Sequence, residues 1–157
     1  MKNPIAERIT DFLKHYPPFS SISYESLLEI AKTCQVIYLE KNQTLFKIND
    51  ATHSFFYVVA SGAVGLSVTS NADDVLIDKC DEGDILGLRP FFAKNNYLMT
   101  AKAREESIIY AIPIETFKPY VIANPEVLSF LLESFASNTR NPYDKNNKGK
   151  LISENVI

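Results

Sequence analysis

Histidine and cysteine are scarce: the 157 residues hold two of each. A metal enzyme built on a β-roll needs several inward histidines and a carboxylate. His15 and His53 are far apart in sequence, and His15 falls in the first predicted helix, so metal catalysis is not expected. Cys34 and Cys80 have no CxxC spacing and read as two reduced thiols of a cytoplasmic protein. Nucleophile elbow, P-loop and GxGxxG are all missing, which removes the common hydrolase, NTPase and dinucleotide signatures. "DEGD" is acidic but lacks the ligand count of a dedicated calcium site. No apolar run approaches the roughly twenty residues needed to span a membrane. The N-terminal "MKNPIAERITDFLKHYPPF" is broken by charge and lacks the apolar stretch of a secretory signal. The formal net charge of -3 argues against a protein held on nucleic acid by a basic surface. The chain thus reads as non-catalytic, with no membrane and no direct nucleic acid as partner.

What is present is a core. Apolar residues make up 46% of the chain, enough for one globular domain. Asn3 and Pro4 form a helix start, and Ile5, Ile9, Phe12 and Leu13 fall on one face before "YPPF" ends the helix. Ser23 caps a second helix with a stripe of Leu27, Leu28, Ala31 and Cys34. The apolar period then drops from about four to two. "QVIYLE", "TLFKI", "SFFYVVASG", "AVGLSVTS", "VLIDKC", "MTAKA" and "SIIYAIP" read as short strands separated by turns, "NADD" and "DEGD" among them. In "AVGLSVTS", Val64, Leu66 and Val68 alternate inward while Gly65, Ser67 and Thr69 face outward. The spacing predicts a jelly roll, sandwich or barrel. Pro113 opens a helix carrying Phe117, Tyr120 and Val121. Asn124-Pro125 opens another, with Val127, Leu128, Leu131, Leu132 and Phe135 on its apolar face. The expected layout is a mainly β domain over 1–137, with helices over 4–34, the roll over 35–112 and C-terminal helices over 113–137. Residues 138–157 read as a linker toward a further domain.

This order of elements, with "FFYVVASGAVGLSV", "DEGDILG" and "ESIIYAIPIETF", resembles the cyclic nucleotide-binding domain family. The resemblance implies a double-stranded β-helix, or jelly roll, flanked by helices. It also implies a phosphate-binding cassette in "GDILGLRPFFAKNNYLMTAKA". In that family a short cassette helix turns its free amides to a cyclic phosphate. A glutamate after the cassette glycine accepts from the ribose hydroxyl. An arginine further along pairs with the phosphate through a bidentate fork.

Gly87 stands where the cassette glycine belongs. Leu88 takes the glutamate position, and Tyr97 the arginine position. A slip of one residue does not bring an arginine there; Lys94 is the nearest cation. A hydrogen bond to a charged group is worth roughly 1.5–3 kcal/mol. Truncating one partner of a buried charge pair costs roughly 2–5 kcal/mol. Losing both contacts removes on the order of 4–8 kcal/mol of the about 8 kcal/mol behind micromolar affinity. Dissociation constants for cAMP and cGMP are therefore expected to be weaker than roughly 1 mM.

The candidate ligand residues are Gly87, Leu88, Arg89, Tyr97, Leu98 and Thr100. Arg89 either replaces the missing cation or sits on the surface beside Asp84 or Glu105. Tyr97 either meets a ligand or fills the pocket. Leu88 is expected to pack as core and make the cavity more apolar, and Thr100 offers a hydroxyl or is a plain strand residue. No cofactor is implied with certainty; a nucleotide or other small ligand is the candidate occupant. The resemblance implies a regulatory module in a bacterial signalling protein, one that continues into CBS domains and a predicted nucleotidyltransferase. Two alternatives stand beside it. One is the sensor of a cAMP-receptor-type transcription regulator cut before its DNA-binding domain. The other is a pure interaction domain. The last helix either pairs with a second copy as a homodimer, meets a downstream domain of the chain, or packs back on the roll.

Overall fold

The structure, a computed structural model, describes residues 3–137. The expected linker, 138–157, lies outside the described residues. Helix α1 (Pro4–Leu13) starts as the sequence suggests: Asn3 Oδ1 accepts from the Ala6 N–H at 3.1 Å, with proline in the first turn. Its buried face is Ala6, Ile9, Thr10 and Leu13. Ile5 was expected on that face but is 63% exposed; it sits to one side, lining a shallow apolar groove with Val36 and Tyr110. Helix α2 (Tyr24–Ala31) is capped by Ser23, whose Oγ accepts from the Ser26 N–H. Leu27, Ile30 and Ala31 are buried, whereas Leu28 on the helix and Cys34 just beyond its end are half-buried.

Eight strands follow: β1 (Gln35–Leu39), β2 (Thr44–Phe46), β3 (Phe55–Ser61), β4 (Val64–Ser70), β5 (Asp73–Cys80), β6 (Ile85–Leu86), β7 (Thr100–Ala103) and β8 (Ser107–Pro113). They form two antiparallel four-stranded sheets, ordered β1-β8-β3-β6 and β2-β7-β4-β5. The "NADD" turn is shorter than expected, since β5 already begins at Asp73. Asn71 and Ala72 carry the reversal at positive φ. Between β6 and β7 lies a short helix, α3 (Leu88–Ala93). Helices α4 (Ile114–Ala123) and α5 (Pro125–Ser137) close the domain, with Asn124 Oδ1 accepting from the Glu126 N–H at the start of α5.

Strand β3 lies inside the first sheet and is buried on both faces, which explains why it is apolar nearly throughout, whereas edge strand β1 exposes Val36 and Tyr38. Phe56 and Val58 face the helices, in a core with Phe19, Leu27, Ile30, Phe117 and Val127. Phe19 and Phe56 lie parallel there and Phe117 packs tilted against both, with ring centroids 5.0–6.3 Å apart. Tyr57 and Val59 face the second sheet, in a separate core with Phe46, Leu66, Leu86, Tyr97 and Met99. This is the interior of the roll. On α5 only Val127 and Leu131 are buried; Leu128 and Leu132 are 40% and 59% exposed, so the predicted apolar face is split between core and solvent.

Both cysteines are free thiols. Burial pushes the Cys34 thiol up to about 12 and raises that of Cys80 as well. At pH 8 almost no thiolate forms, and the thiolate is the reactive species. Folded protein is expected to leave both thiols unmodified by a disulfide reagent at pH 8, and to release two equivalents on unfolding in guanidinium. Stoichiometric labelling without denaturant would contradict this.

Candidate functional site

The cassette begins with Gly87, at the N-cap of α3 with φ +82°, a left-handed conformation that glycine adopts without strain. A side chain there would also meet two rings, since the Cβ position lies 3.4 Å from Tyr57 Cδ2 and 3.7 Å from Tyr97 Cε1. Two tyrosines thus close directly on the cassette backbone.

Tyr97 is the residue at which the family resemblance implies a phosphate-pairing arginine. It is 1% exposed and stacks on Phe46, with centroids 3.9 Å apart and planes inclined by 12°. His53 packs edge-on against it at 5.2 Å. Three hydrogen bonds fix its place. The Tyr97 N–H donates to Asp50 O, its carbonyl accepts from the Asn49 N–H, and its hydroxyl accepts from the His53 N–H at 2.8 Å. Burial raises the phenol above its ordinary range, and the His53 N–H opposes that rise by favouring the phenolate. Tyr57 completes the cluster: its hydroxyl shares a 2.6 Å hydrogen bond with His53 Nδ1. Burial also pushes the Tyr57 phenol up, with neighbouring Tyr97 adding to the shift. Phe46 and Tyr57 carry no signal of this site in the sequence, and His53 is considered there only as a metal ligand. They come from three separate segments, and only the roll brings them to Tyr97.

The other predicted positions divide. Leu88 is fully buried, but in the helix-side core rather than between the sheets. The expected packing as core is observed, but it adds no apolar surface between the sheets, since at the first turn of α3 the side chain lies among the helices. Leu98, in the bend before β7, is 50% exposed, while its neighbours Tyr97 and Met99 are buried. Thr100 Oγ1 accepts from the Ile48 N–H at 3.0 Å, tying β7 to the exit of β2. Arg89 lies half-buried on α3, and desolvation lowers the pKa of its guanidinium.

The cassette also touches the C-terminal helices. Phe92 on α3 meets Phe135 on α5 with centroids 6.1 Å apart, and Lys118 Nζ on α4 lies 5.3 Å from the Phe91 ring centroid. Among the described residues no group of three or more His, Cys, Asp or Glu is placed to hold a metal ion, and no helix is long and apolar enough to cross a membrane.

Residues 36–124 match the family profile described as the cyclic nucleotide-binding domain. The chain belongs to the cyclic nucleotide-binding domain family. Domains of this family are typically non-catalytic regulatory or sensory modules, and the β-roll with its flanking helices is the fold expected of them. Among curated proteins, the chain is 32% identical to neuropathy target esterase sws of Drosophila willistoni over 113 residues, which is 64% of this chain and 7% of that protein. Among solved structures it is similar to the sensor domain of the transcriptional regulator DNR from Pseudomonas aeruginosa. That match has a TM-score of 0.71 at 18% identity, covering 85% of this chain and 94% of that one. It is also similar to the regulatory subunit of a cAMP-independent protein kinase A from Trypanosoma cruzi bound to guanosine. Here the TM-score is 0.73 at 14% identity, covering 96% of this chain and 52% of that one.

Proposed function

We propose that this cyclic nucleotide-binding-like domain is a regulatory module of a bacterial signalling protein whose nucleotide space is filled by its own side chains. The observation that carries the reading is Tyr97. It occupies the arginine position, is buried against Phe46, and closes with Tyr57 on the cassette glycine. A cyclic nucleotide would have to displace a ring stacked on Phe46 and held by the His53 N–H at its hydroxyl, without a glutamate or arginine in return. Its dissociation constant is accordingly weaker than about 1 mM.

The module's output is the motion, or the fixed placement, of α4 and α5. The Phe92–Phe135 contact and the Lys118–Phe91 contact support this, since a shift of α3 would be felt by both helices. Such a module serves a longer chain of the CBS and nucleotidyltransferase type. A second reading, the sensor of a transcription regulator, is supported by the likeness to the DNR sensor domain over nearly its whole length. The guanosine bound to the Trypanosoma cruzi protein supports a third ligand class for the test, a nucleoside with no phosphate to pair.

Binding to the native state raises a thermal midpoint by mass action. Calorimetry and thermal unfolding with cAMP, cGMP and guanosine are expected to show no saturable cyclic-nucleotide binding up to about 1 mM. Low-micromolar cAMP would overturn the proposal. Saturable guanosine binding without cAMP would replace a filled space by a retuned one.

A further inference from the structure

The outer face of the second sheet holds a groove that the nucleotide space does not explain. Its cavity is about 290 Å³, and Lys41, Ser67, Asp74, Lys102 and Arg104 bring the polar chemistry to it. The residues come from four places in the chain, and pairing register assembles them. Strand β4 lies between β5 and β7, with Gly65 opposite Lys102 on one side and Lys79 on the other. The turn carrying Lys41 is fixed to β7, since the Asn42 N–H donates to Ala103 O and the Ala103 N–H donates to Gln43 O. The Arg104 N–H donates to Ala63 O. The backbone under the groove is thus tied together by hydrogen bonds.

Gly65 shapes the floor. A Cβ there would lie 3.0 Å from Leu76 Cδ1 and 3.2 Å from Arg104 Cγ. Its absence lets the stem of Arg104 lie against the sheet. Three cations face one carboxylate, Asp74, which sits 3.6 Å from Lys102 Nζ. Among the described residues Lys41 and Arg104 make no ion pair. In a protein of net charge -3, this leaves an excess of two positive charges in one groove. A second, independent observation is Ser67. Three polar residues are buried among the described residues: Thr10 on α1 donates to Ala6 O, Ser107 on β8 is bonded to the backbone on two sides, and Ser67, at 9% exposure, lines the groove with no hydrogen-bond partner for its hydroxyl among the described residues. A buried polar group without a partner is uncommon.

The geometry points to a binding site for a small phosphate-bearing molecule on the outer face of the β2-β7-β4-β5 sheet. A phosphate monoester dianion matches the excess of two charges. Its oxygens accept from the Arg104 fork, from the two lysines and from the Ser67 hydroxyl. The site is separate from the Tyr97 cluster, because Val64 and Leu66 point into the roll while Gly65 and Ser67 line the opposite face.

The test is a backbone amide NMR titration of the whole chain with inorganic phosphate and with glycerol 3-phosphate at constant ionic strength, with chloride as control. Saturable shifts confined to Gly65–Ser67, Asn42 and Lys102–Arg104 are expected, with a dissociation constant of a few millimolar or tighter, weakening as salt is raised. Arg104→Gln should weaken binding about tenfold or more, and Ser67→Ala about threefold. Both positions are tested because Ser67 alone shares packing with the sheet. Linear shifts up to about 20 mM phosphate, or unchanged affinity in Arg104→Gln, would overturn the site.

Discussion

Replacing Tyr97 by alanine will cost the fold about 3–5 kcal/mol, the range for removing a large buried ring. The side chain is 1% exposed and stacked at 3.9 Å on Phe46, so the lost volume opens between two sheets that cannot close over it. A domain of this size has roughly 5–15 kcal/mol in all, so the variant sits near its threshold. Tyr97→Phe keeps the ring and removes the hydroxyl that accepts from the His53 N–H. It should cost only about 1 kcal/mol, or somewhat more if that N–H is left dry. Urea unfolding of the pair separates packing from hydrogen bonding. If both variants lose little, Tyr97 is a loosely held lid, and the filled-space reading of the function falls with it. If the alanine variant gains saturable binding of a small apolar or aromatic molecule, the space is a true cavity that the ring occupies.

That result bears on how much was legible in the chain. The change of apolar period, the Asn3 and Ser23 caps and the turn residues announced the roll and its helices, because each is a local signal. The proposed loss of the two charged ligand contacts rests only on the identities of Leu88 and Tyr97. Which way those side chains turn was not legible in the chain. Tyr97 is pinned by Asn49, Asp50 and His53, more than forty positions away, and stacked on Phe46. The outer groove escaped the sequence for the same reason: Lys41, Ser67, Asp74 and Arg104 show no spacing until strand pairing brings them together. On α5, periodicity identified the apolar residues but could not divide Val127 and Leu131 from the exposed Leu128 and Leu132.

The direction of Leu88 gives the other large effect. Restoring the family's acid by Leu88→Glu should not restore a ribose contact. It should place a carboxyl in the helix-side core, where the native side chain has no exposure. Unfolded glutamate titrates near about 4.3. Full burial raises a carboxyl by up to about 3–5 units, each worth about 1.4 kcal/mol. The folded pKa then lies above the unfolded one, so the unfolded state holds fewer protons once the pH passes the unfolded value. Stability of the variant relative to wild type is therefore greatest at and below about pH 4, where the carboxyl is neutral in both states. It falls as pH rises toward the raised folded pKa: the added loss is on the order of 3–4 kcal/mol at neutrality, and levels off only above the folded pKa. Urea midpoints of variant and wild type, compared at several pH values from acid to neutral, read this as a widening gap. Added cAMP should leave the gap unchanged, because the acid faces the helices and Tyr97 still holds the nucleotide space. A gap independent of pH would put the carboxylate in solvent. A gap that cAMP narrows would mean that α3 can turn this position back toward the ligand, and that the cassette of this domain is altered in its residues but not in its reach.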